Sequence, residues 1–393
     1  MIDITKLYFG RSTPSDQLRY GTDLPKSIHS DSIKSPPTQR RPIVVWCMTR
    51  KCNLKCIHCY SDSHAENYPN ELSTEEAINL IDMLSEYKAA VLLFSGGEPL
   101  LRKDIFELAK YAVNKGIRAV VSSNGTLITP DIAQQIKDSG ISYVGISIDG
   151  IGADNDKFRG VGGAYDSAIN GVRNCVKIGQ KVGLRFTMTK SNYKSIPDIF
   201  KLADDEGINR ICFYHLVYSG RGKIMQDDDI PNEEKPTLID SIIELTRQRL
   251  KDRFIHVLTV DNHTDGVYLY LKLLKENPQQ AEEPFKLLSW NGGNRSGLGI
   301  AYIDNIGNVH PDQFWQDCNL GNIREREFSE IWEDDSNETM KLLKNRKGHI
   351  KGKCGACKYF DICNGNFRVR AIAKYGDPTM PDPACYLSEK EIS

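Results

Sequence analysis

Three cysteines carry the most specific chemistry in this chain. Cys52, Cys56 and Cys59 lie in CNLKCIHC, a C-x3-C-x2-C array that supplies three thiolates and no fourth. A structural zinc site closes with four protein ligands, and iron–sulfur clusters are normally held by four cysteines. Three thiolates on a cubane leave one iron open to an outside ligand. That is a reactive position, not a staple. The competing reading is a zinc knuckle completed by His58 or His64. The array follows an apolar, β-branched run, Pro42 to Met48, as a loop at the end of a buried strand would.

A second set lies near the C-terminus: Cys354-x2-Cys357-x5-Cys363, then Cys385. Four soft thiolates suit either an iron–sulfur cluster or structural zinc. Eleven cysteines in a 393-residue chain without a secretory h-region point to metal binding before disulfides. Cys175, on a helix with Ala168 and Val172, and Cys212, inside a strand, read as core thiols.

The elements that must position these groups repeat one unit, an apolar strand, a Gly/Ser-rich turn and an amphipathic helix. Strands are expected at Ile43–Met48, Val91–Phe94, Ala119–Ser122, Tyr143–Ile148, Gly183–Met188 and Ile211–Leu216. Near-continuous apolar runs of this kind suit a parallel sheet covered on both faces. Ser73 with Glu76 forms a capping box, and Thr129-Pro130 supplies an N-cap and first helical residue. Polar turns follow each strand: the cysteine array, Ser95 to Glu98, Ser123-Asn124-Gly125, Asp149-Gly150, Thr187 to Lys190 and Ser219 to Gly222. In β/α barrels that edge carries the chemistry. Asn-Gly and Asp-Gly also favour tight turns, so Asn124 and Asp149 have a structural reading as well. The acidic, Pro-punctuated stretch at 226–236 is expected to end the barrel, with a helix from Thr237 to Lys251 after it.

Composition narrows the class. The chain is 40% hydrophobic and 26% charged with a net charge of −1, values of a globular protein without general affinity for nucleic acid. No apolar run approaches membrane-spanning length, so a cytoplasmic chain without a membrane partner is expected.

CNLKCIHC with Gly96-Gly97-Glu98-Pro99 downstream resembles the radical S-adenosylmethionine (SAM) family. The resemblance implies a partial (β/α)6 TIM-like barrel, α/β in class, and a [4Fe–4S] cluster on Cys52, Cys56 and Cys59 whose open iron chelates SAM. Reductive cleavage of SAM would give a 5′-deoxyadenosyl radical. Gly96, Gly97 and Glu98 would bind the SAM amine, and His58 would lie near the adenine. Asn124, Ser147 and Asp149 would hold the ribose, and Arg185 would reach the carboxylate. The C-terminal cysteines resemble a SPASM or twitch-like extension, with a second, auxiliary [4Fe–4S] cluster on Cys354, Cys357, Cys363 and Cys385. A full SPASM domain holds two auxiliary clusters. Here Phe367, Asp312 and Arg326 stand where further cysteines are expected, so one auxiliary site is intact and the other lost, leaving Cys318 an orphan.

Within the family, LLFSGGEPLLR, YVGISIDGIGADNDKFRG, FYHLVYSGRG, TVDNHTDG, NGGNRSG, HPDQFW, GNFRVRA and DPACYL together look like the tetrapyrrole-tailoring branch. That branch includes didecarboxysiroheme deacetylases of siroheme-dependent haem synthesis and NirJ-type proteins of haem d1 synthesis. The resemblance implies an iron tetrapyrrole substrate, didecarboxysiroheme, and loss of two acetate side chains to give iron-coproporphyrin III. The N-terminal LYFGRSTPSDQLRYG inclines toward the deacetylases; removal of propionates is the NirJ alternative. A ferredoxin or flavodoxin would supply low-potential electrons. A SPASM peptide maturase is the third reading; the roughly forty residues before the first barrel strand are too few for a peptide-recognition domain. A noncatalytic zinc scaffold is the fourth.

A polycarboxylate substrate calls for guanidinium forks, and Arg159, Arg221, Arg295, Arg368 and Arg370 lie in loop or Gly-rich contexts. Arg221, His263 and His310 are the candidate catalytic side chains, the histidines as axial ligand to the substrate iron or as proton donor. Trp290, Phe314 and Trp315 could pack on a macrocycle face or in the core. The expected organisation is an N-terminal arm at 1–41, the barrel at 42–230, connecting helices and a substrate-side segment at 231–300, and the auxiliary domain at 301–393.

Overall fold

The structure is a computed structural model and describes residues 1–14, 16–20 and 41–393. Its centre is one eleven-stranded sheet in the order β1-β8-β7-β6-β5-β4-β3-β2-β9-β10-β11. Six strands match the expected runs to within two residues: β2 (Ile43–Thr49), β3 (Val91–Gly96), β4 (Arg118–Ser123), β5 (Val144–Ser147), β6 (Val182–Met188) and β7 (Arg210–His215). They pair in parallel, neighbour to neighbour, through helical crossovers.

Two further parallel strands flank them. β8 (His256–Val260) pairs with β7, and β9 (Ile300–Ile303) pairs with β2. The parallel sheet therefore does not end near residue 230, as the acidic stretch led us to expect. HVLTV is a five-residue buried run, too short to declare itself as a strand without its neighbours. The N-terminal segment is also more than an arm. β1 (Ile2–Asp3) adds antiparallel to β8, and the buried His256 Nε2 lies 2.7 Å from Asp3 Oδ2. Beyond β9, β10 (Asn308–His310) and β11 (Gly321–Asn322) continue as antiparallel hairpins. The part of the expected arm at 21–40, and Ser15 in the N-terminal motif, lie outside the described residues.

Strand alternation sorts side chains onto two faces. Val44, Trp46, Met48, Phe94, Phe186 and Phe213 join the main core beneath the helices. Val45, Cys47 and Tyr302 form a separate cluster, as do Cys212, Leu258 and Val260, and these line the lumen of the open barrel. Cys175 and Cys212 are buried free thiols, as expected of core positions. Local caps follow the sequence: Ser73 and Glu76 bond reciprocally, and Thr129 Oγ1 accepts from Ile132 N. The helix expected from 237 runs Lys235–Arg249. Among the described residues no helix is long and apolar enough to cross a membrane.

Phe213 tests the helix-covered face. It is fully buried, with its ring 6.0 Å from Phe186 and 5.6 Å from Phe200. Phe213→Ala should cost about 3–5 kcal/mol in chemical denaturation with an unchanged denaturant slope. A loss under about 1 kcal/mol would show that this face is loosely packed.

Candidate active site

The site is built at the C-terminal edge of β2 to β5. β2 delivers the chain into the cysteine loop, and β3 delivers the Gly-Gly-Glu turn beside it. Gly97 N donates to Thr49 O (2.8 Å) and Glu98 N to Lys51 O (2.9 Å). The glycines are required by this approach. A Cβ on Gly96 would lie 2.2 Å from Thr49 O, and one on Gly97 2.3 Å from Lys51 O. Gly96 also has φ +143, where side chains are strained.

Each sulfur of the array receives a polar neighbour. Leu54 N donates to Cys52 Sγ at 3.4 Å, Arg159 Nη1 to Cys56 Sγ at 3.6 Å, and Cys59 Sγ lies 3.4 Å from Ser61 Oγ. Asn124 Nδ2 sits 4.0 Å from Cys52 Sγ and donates to Asn53 Oδ1 at 2.8 Å. Donors aimed at sulfur suit metal-bound thiolates. Burial alone pushes the Cys52 thiol up to about 12 and raises Cys56, so metal charge is what would hold these groups ionised. The residues therefore fit an iron–sulfur cluster with an open position.

The C-terminal cysteines also converge. Cys354, Cys357, Cys363 and Cys385 line one apolar cavity with Thr264, Val267 and Phe360. Burial lifts Cys354 to about 11 and Cys363 well above its ordinary value. Four soft thiolates around one shared cavity fit an iron–sulfur cluster.

Of the positions that departed from the SPASM pattern, Asp312 and Phe367 are packed into the interior and Arg326 is exposed. Asp312 accepts from Phe314 N (2.8 Å), Trp315 N (3.1 Å) and Ser296 Oγ. Phe367 packs with Val217, Trp315, Leu343 and Val369. Arg326 pairs with Asp334 at 3.2 Å. Arg346 is buried and donates to Asn294 Oδ1, Asn364 O and Ser296 O. Cys318 is half-buried against the Trp315 cluster.

The SAM-side candidates are brought together, although much of their bonding is internal. Glu98 is fully buried; Oε1 accepts from Ser123 Oγ (2.9 Å) and Leu100 N (3.2 Å), and Oε2 from Asn124 N (2.8 Å). Asp149 Oδ1 accepts from Thr187 N at 2.6 Å, while Oδ2 pairs with Arg159 and lies 3.7 Å from His58 Nε2. The His58 ring sits 4.7 Å from Phe158, and burial lowers it to about 4, so it is neutral. Ser147 ends β5, its Cα paired with that of Arg185 on β6. Arg185 turns into the lumen and donates to Ser122 Oγ at 2.5 Å.

Several expected substrate residues are corrected. Arg221 is not a free fork: Nε donates to Cys56 O (2.8 Å), and Nη1 to Asp62 Oδ1 (2.9 Å) and Ser63 O (3.0 Å). It positions the cysteine loop. His310 is committed to Cys318 O (2.9 Å) and Asp304 (3.4 Å), a structural role for a buried ring. Arg368 caps carbonyls at Gly365, Pro378 and Met380; Arg370 pairs with Asp382 at 2.9 Å and reaches Leu216 O and Asp261 O. Arg159 belongs to the cluster loop, and Arg295 lies against Gly299. His263 differs. It is buried, its ring stacks on Phe367 at 6.1 Å, and its Nδ1 has no hydrogen-bond partner. Burial holds it well below its ordinary pKa, so at neutral pH it is a neutral ligand or acceptor, not a cationic acid. Sequence reasoning missed Asn53, Thr126, Ser122 and Tyr214; inward strand alternation was the available signal for the last two.

Glu98 gives a pH test. Burial raises its pKa from 4.5 to about 7, outweighing the bonds from Asn124, Ser123 and Leu100. The folded chain binds this proton more tightly than the unfolded one. The contribution is full below about pH 4.5 and is lost as pH rises through about 7. Stability of the SAM-free wild type relative to Glu98→Gln should fall by up to about 3 kcal/mol between pH 5 and 8. Parallel stability curves for the two proteins would refute it.

Comparison with known proteins agrees with this geometry. Residues 46–203 match the model of the radical SAM superfamily, and residues 295–358 that of the SPASM iron–sulfur cluster-binding domain. The chain is 55% identical to Fe-coproporphyrin III synthase of Methanosarcina barkeri, over 100% of this chain and 99% of that one. It is 42% identical to pre-heme d1 synthase of Dinoroseobacter shibae, over 89% and 87% of the two chains. In structure it is similar to SuiB of Streptococcus suis bound to its precursor peptide SuiA, with a TM-score of 0.71 at 18% identity over 91% and 79% of the chains, a likeness of fold. Three cysteines at the barrel edge beside a Gly-Gly-Glu turn, a SPASM extension and a match to a radical SAM relative over the full length place this chain in the radical SAM enzyme family.

Proposed function

We propose that this chain removes the two acetate side chains of 12,18-didecarboxysiroheme and gives Fe-coproporphyrin III, acting in the cytoplasm. The observation that carries the reading is the full-length 55% identity to an Fe-coproporphyrin III synthase. Loss of the second auxiliary cysteine set supports it, because the chain then has seven cysteines in two ligand sets and Asp312, Arg326 and Phe367 where further thiols would sit.

When bound on Cys52, Cys56 and Cys59, the cluster with SAM supplies one-electron reductive cleavage of the sulfonium and, through it, hydrogen-atom abstraction. The protein supplies the rest. Arg221 and the Gly96–Gly97 contact hold the cysteine loop against the barrel edge. Glu98, with its carboxylate oriented by Ser123 and Asn124, would meet the SAM amine. Asn124, Ser147, Asp149 and His58 stand at the same edge for ribose and adenine. Tyr60, Phe314 and Phe367 make a continuous ring chain, with centroids 5.5 Å and 5.7 Å apart, that walls the barrel mouth against water. His263 stands behind Phe367 as a neutral imidazole for the substrate iron or a substrate proton. A low-potential one-electron carrier of the ferredoxin or flavodoxin class would supply electrons.

A second reading is removal of propionates, favoured by the 42% identity to pre-heme d1 synthase. One assay separates them: anaerobic reconstituted protein, SAM, reductant and didecarboxysiroheme, with products read by mass spectrometry. Loss of two acetates is expected. Loss of propionates would move the chain to the other reading, and intact tetrapyrrole beside cleaved SAM would refute both.

Iron content tests the two ligand sets. Wild type should hold about eight irons per chain, and the Cys52, Cys56 and Cys59 triple alanine variant about four. An iron-free triple variant that still folds would show that the C-terminal cysteines hold no cluster of their own.

A further inference from the structure

Most arginines near this site are already used by the protein. Arg159 is at Cys56 and Asp149, Arg221 on the cysteine loop, Arg346 on carbonyls, Arg370 on Asp382. Arg185, which faces the lumen beside the site, has no carboxylate partner among the described residues. Its Cα pairs with Ser147 on one side and Cys212 on the other, mid-strand in β6, and its guanidinium extends into the lumen. Nη1 donates to Ser122 Oγ, the group lies 5.9 Å from the Tyr214 ring centroid, and the buried Nε has no hydrogen-bond partner. No ion pair to it is found among the described residues.

A Cβ on Gly145 would lie 2.2 Å from Arg185 Nε, so the guanidinium rests directly on that glycine and its position depends on it. The neighbouring inward positions, Ser95, Ser122, Ser147 and Tyr214, offer hydroxyls and no carboxylate. Deeper in the lumen Arg210 stacks over Tyr143 at 4.9 Å, and it too makes no ion pair among the described residues. Desolvated guanidinium without a counter-charge is unfavourable, and a bound carboxylate relieves it bidentately.

Resting on the function proposed above, we infer that Arg185, steadied by Ser122, receives the carboxylate of a reacting acetate side chain. This reassigns the residue from SAM to substrate. The guanidinium beside the cluster loop is Arg159, 3.6 Å from Cys56 Sγ, whereas Arg185 starts mid-strand in β6, level with Ser147, and turns toward Ser122 and Tyr214. A carboxylate held there anchors the side chain in the lumen and leaves the macrocycle across the barrel mouth.

Three anaerobic titrations on cluster-loaded wild type, Arg185→Gln and Arg185→Lys test it: didecarboxysiroheme, Fe-coproporphyrin III (which lacks the acetates) and SAM. Arg185→Gln should weaken didecarboxysiroheme about 10- to 100-fold, the worth of a hydrogen-bonded charge, with the other two ligands changed less than about threefold. Arg185→Lys keeps the charge without the fork and should fall between; it also serves should the glutamine variant not fold. Weakened SAM with unchanged tetrapyrrole would return Arg185 to SAM and overturn the inference. Equal weakening of both tetrapyrroles would show that it does not read the acetate. Wild type that binds neither tetrapyrrole would instead remove the proposed function itself.

Discussion

The contact on which the site depends is the approach of the Gly-Gly-Glu turn to the start of the cysteine loop. Two backbone bonds join Gly97 and Glu98 to carbonyls of Thr49 and Lys51, at an approach that no side chain on Gly96 or Gly97 would permit. This fixes Glu98 relative to Cys52, and through the bonds of Glu98 to Ser123 and Asn124 it fixes β4's turn as well. Three strand ends thus share one bonded framework. A reaction that needs a metal-bound ligand held beside a substrate tolerates little error in that framework, because sub-ångström placement governs rate.

The framework also explains where the polar groups went. A loop with three thiols cannot stabilise itself by hydrophobic packing alone. Arg221 reaches back from the β7 side to Cys56 O, Asp62 and Ser63 O, and Arg159 reaches from the β5 side to Cys56 Sγ and Asp149. Each guanidinium has a planar fork that ties several carbonyls or a carboxylate at once. Arginines in loops near an active edge therefore do not by themselves mark substrate contacts.

Much of the architecture was legible in the sequence, for physical reasons. Buried parallel strands are near-continuous apolar runs, and β2 to β7 announced themselves in that way. The cysteine arrays and the Gly-Gly-Glu turn were legible because ligand count and spacing constrain chemistry directly. β8 and β9 were not: each is a five- or four-residue run whose strand character comes from pairing with β7 or β2, far away in sequence. Nor were the fates of Arg221, His310, Arg368 and Arg370, since the carbonyls and carboxylates that claim them come from distant segments. The packing of Phe367 against Trp315 and Val217 likewise joins segments that no local pattern connects.

The polar side chains near the site differ in how fully the fold satisfies them. Arg370 is buried and meets Asp382, Leu216 O and Asp261 O, so nothing is left for a ligand to supply. His310 is satisfied at both ring nitrogens. His263 Nδ1 and Arg185 Nε are buried and unmet, the first behind an aromatic surface and the second in a lumen whose inward positions carry no acid. Leaving a buried polar atom unmet costs free energy that a bound water or ligand can return. On the proposed function, the substrate side would lie between the lumen at Ser122 and Arg185 and the rings of Phe314 and Phe367. The C-terminal cysteines stand just beyond it, at Asn366 and Cys363, where an auxiliary cluster would border the substrate from the far side.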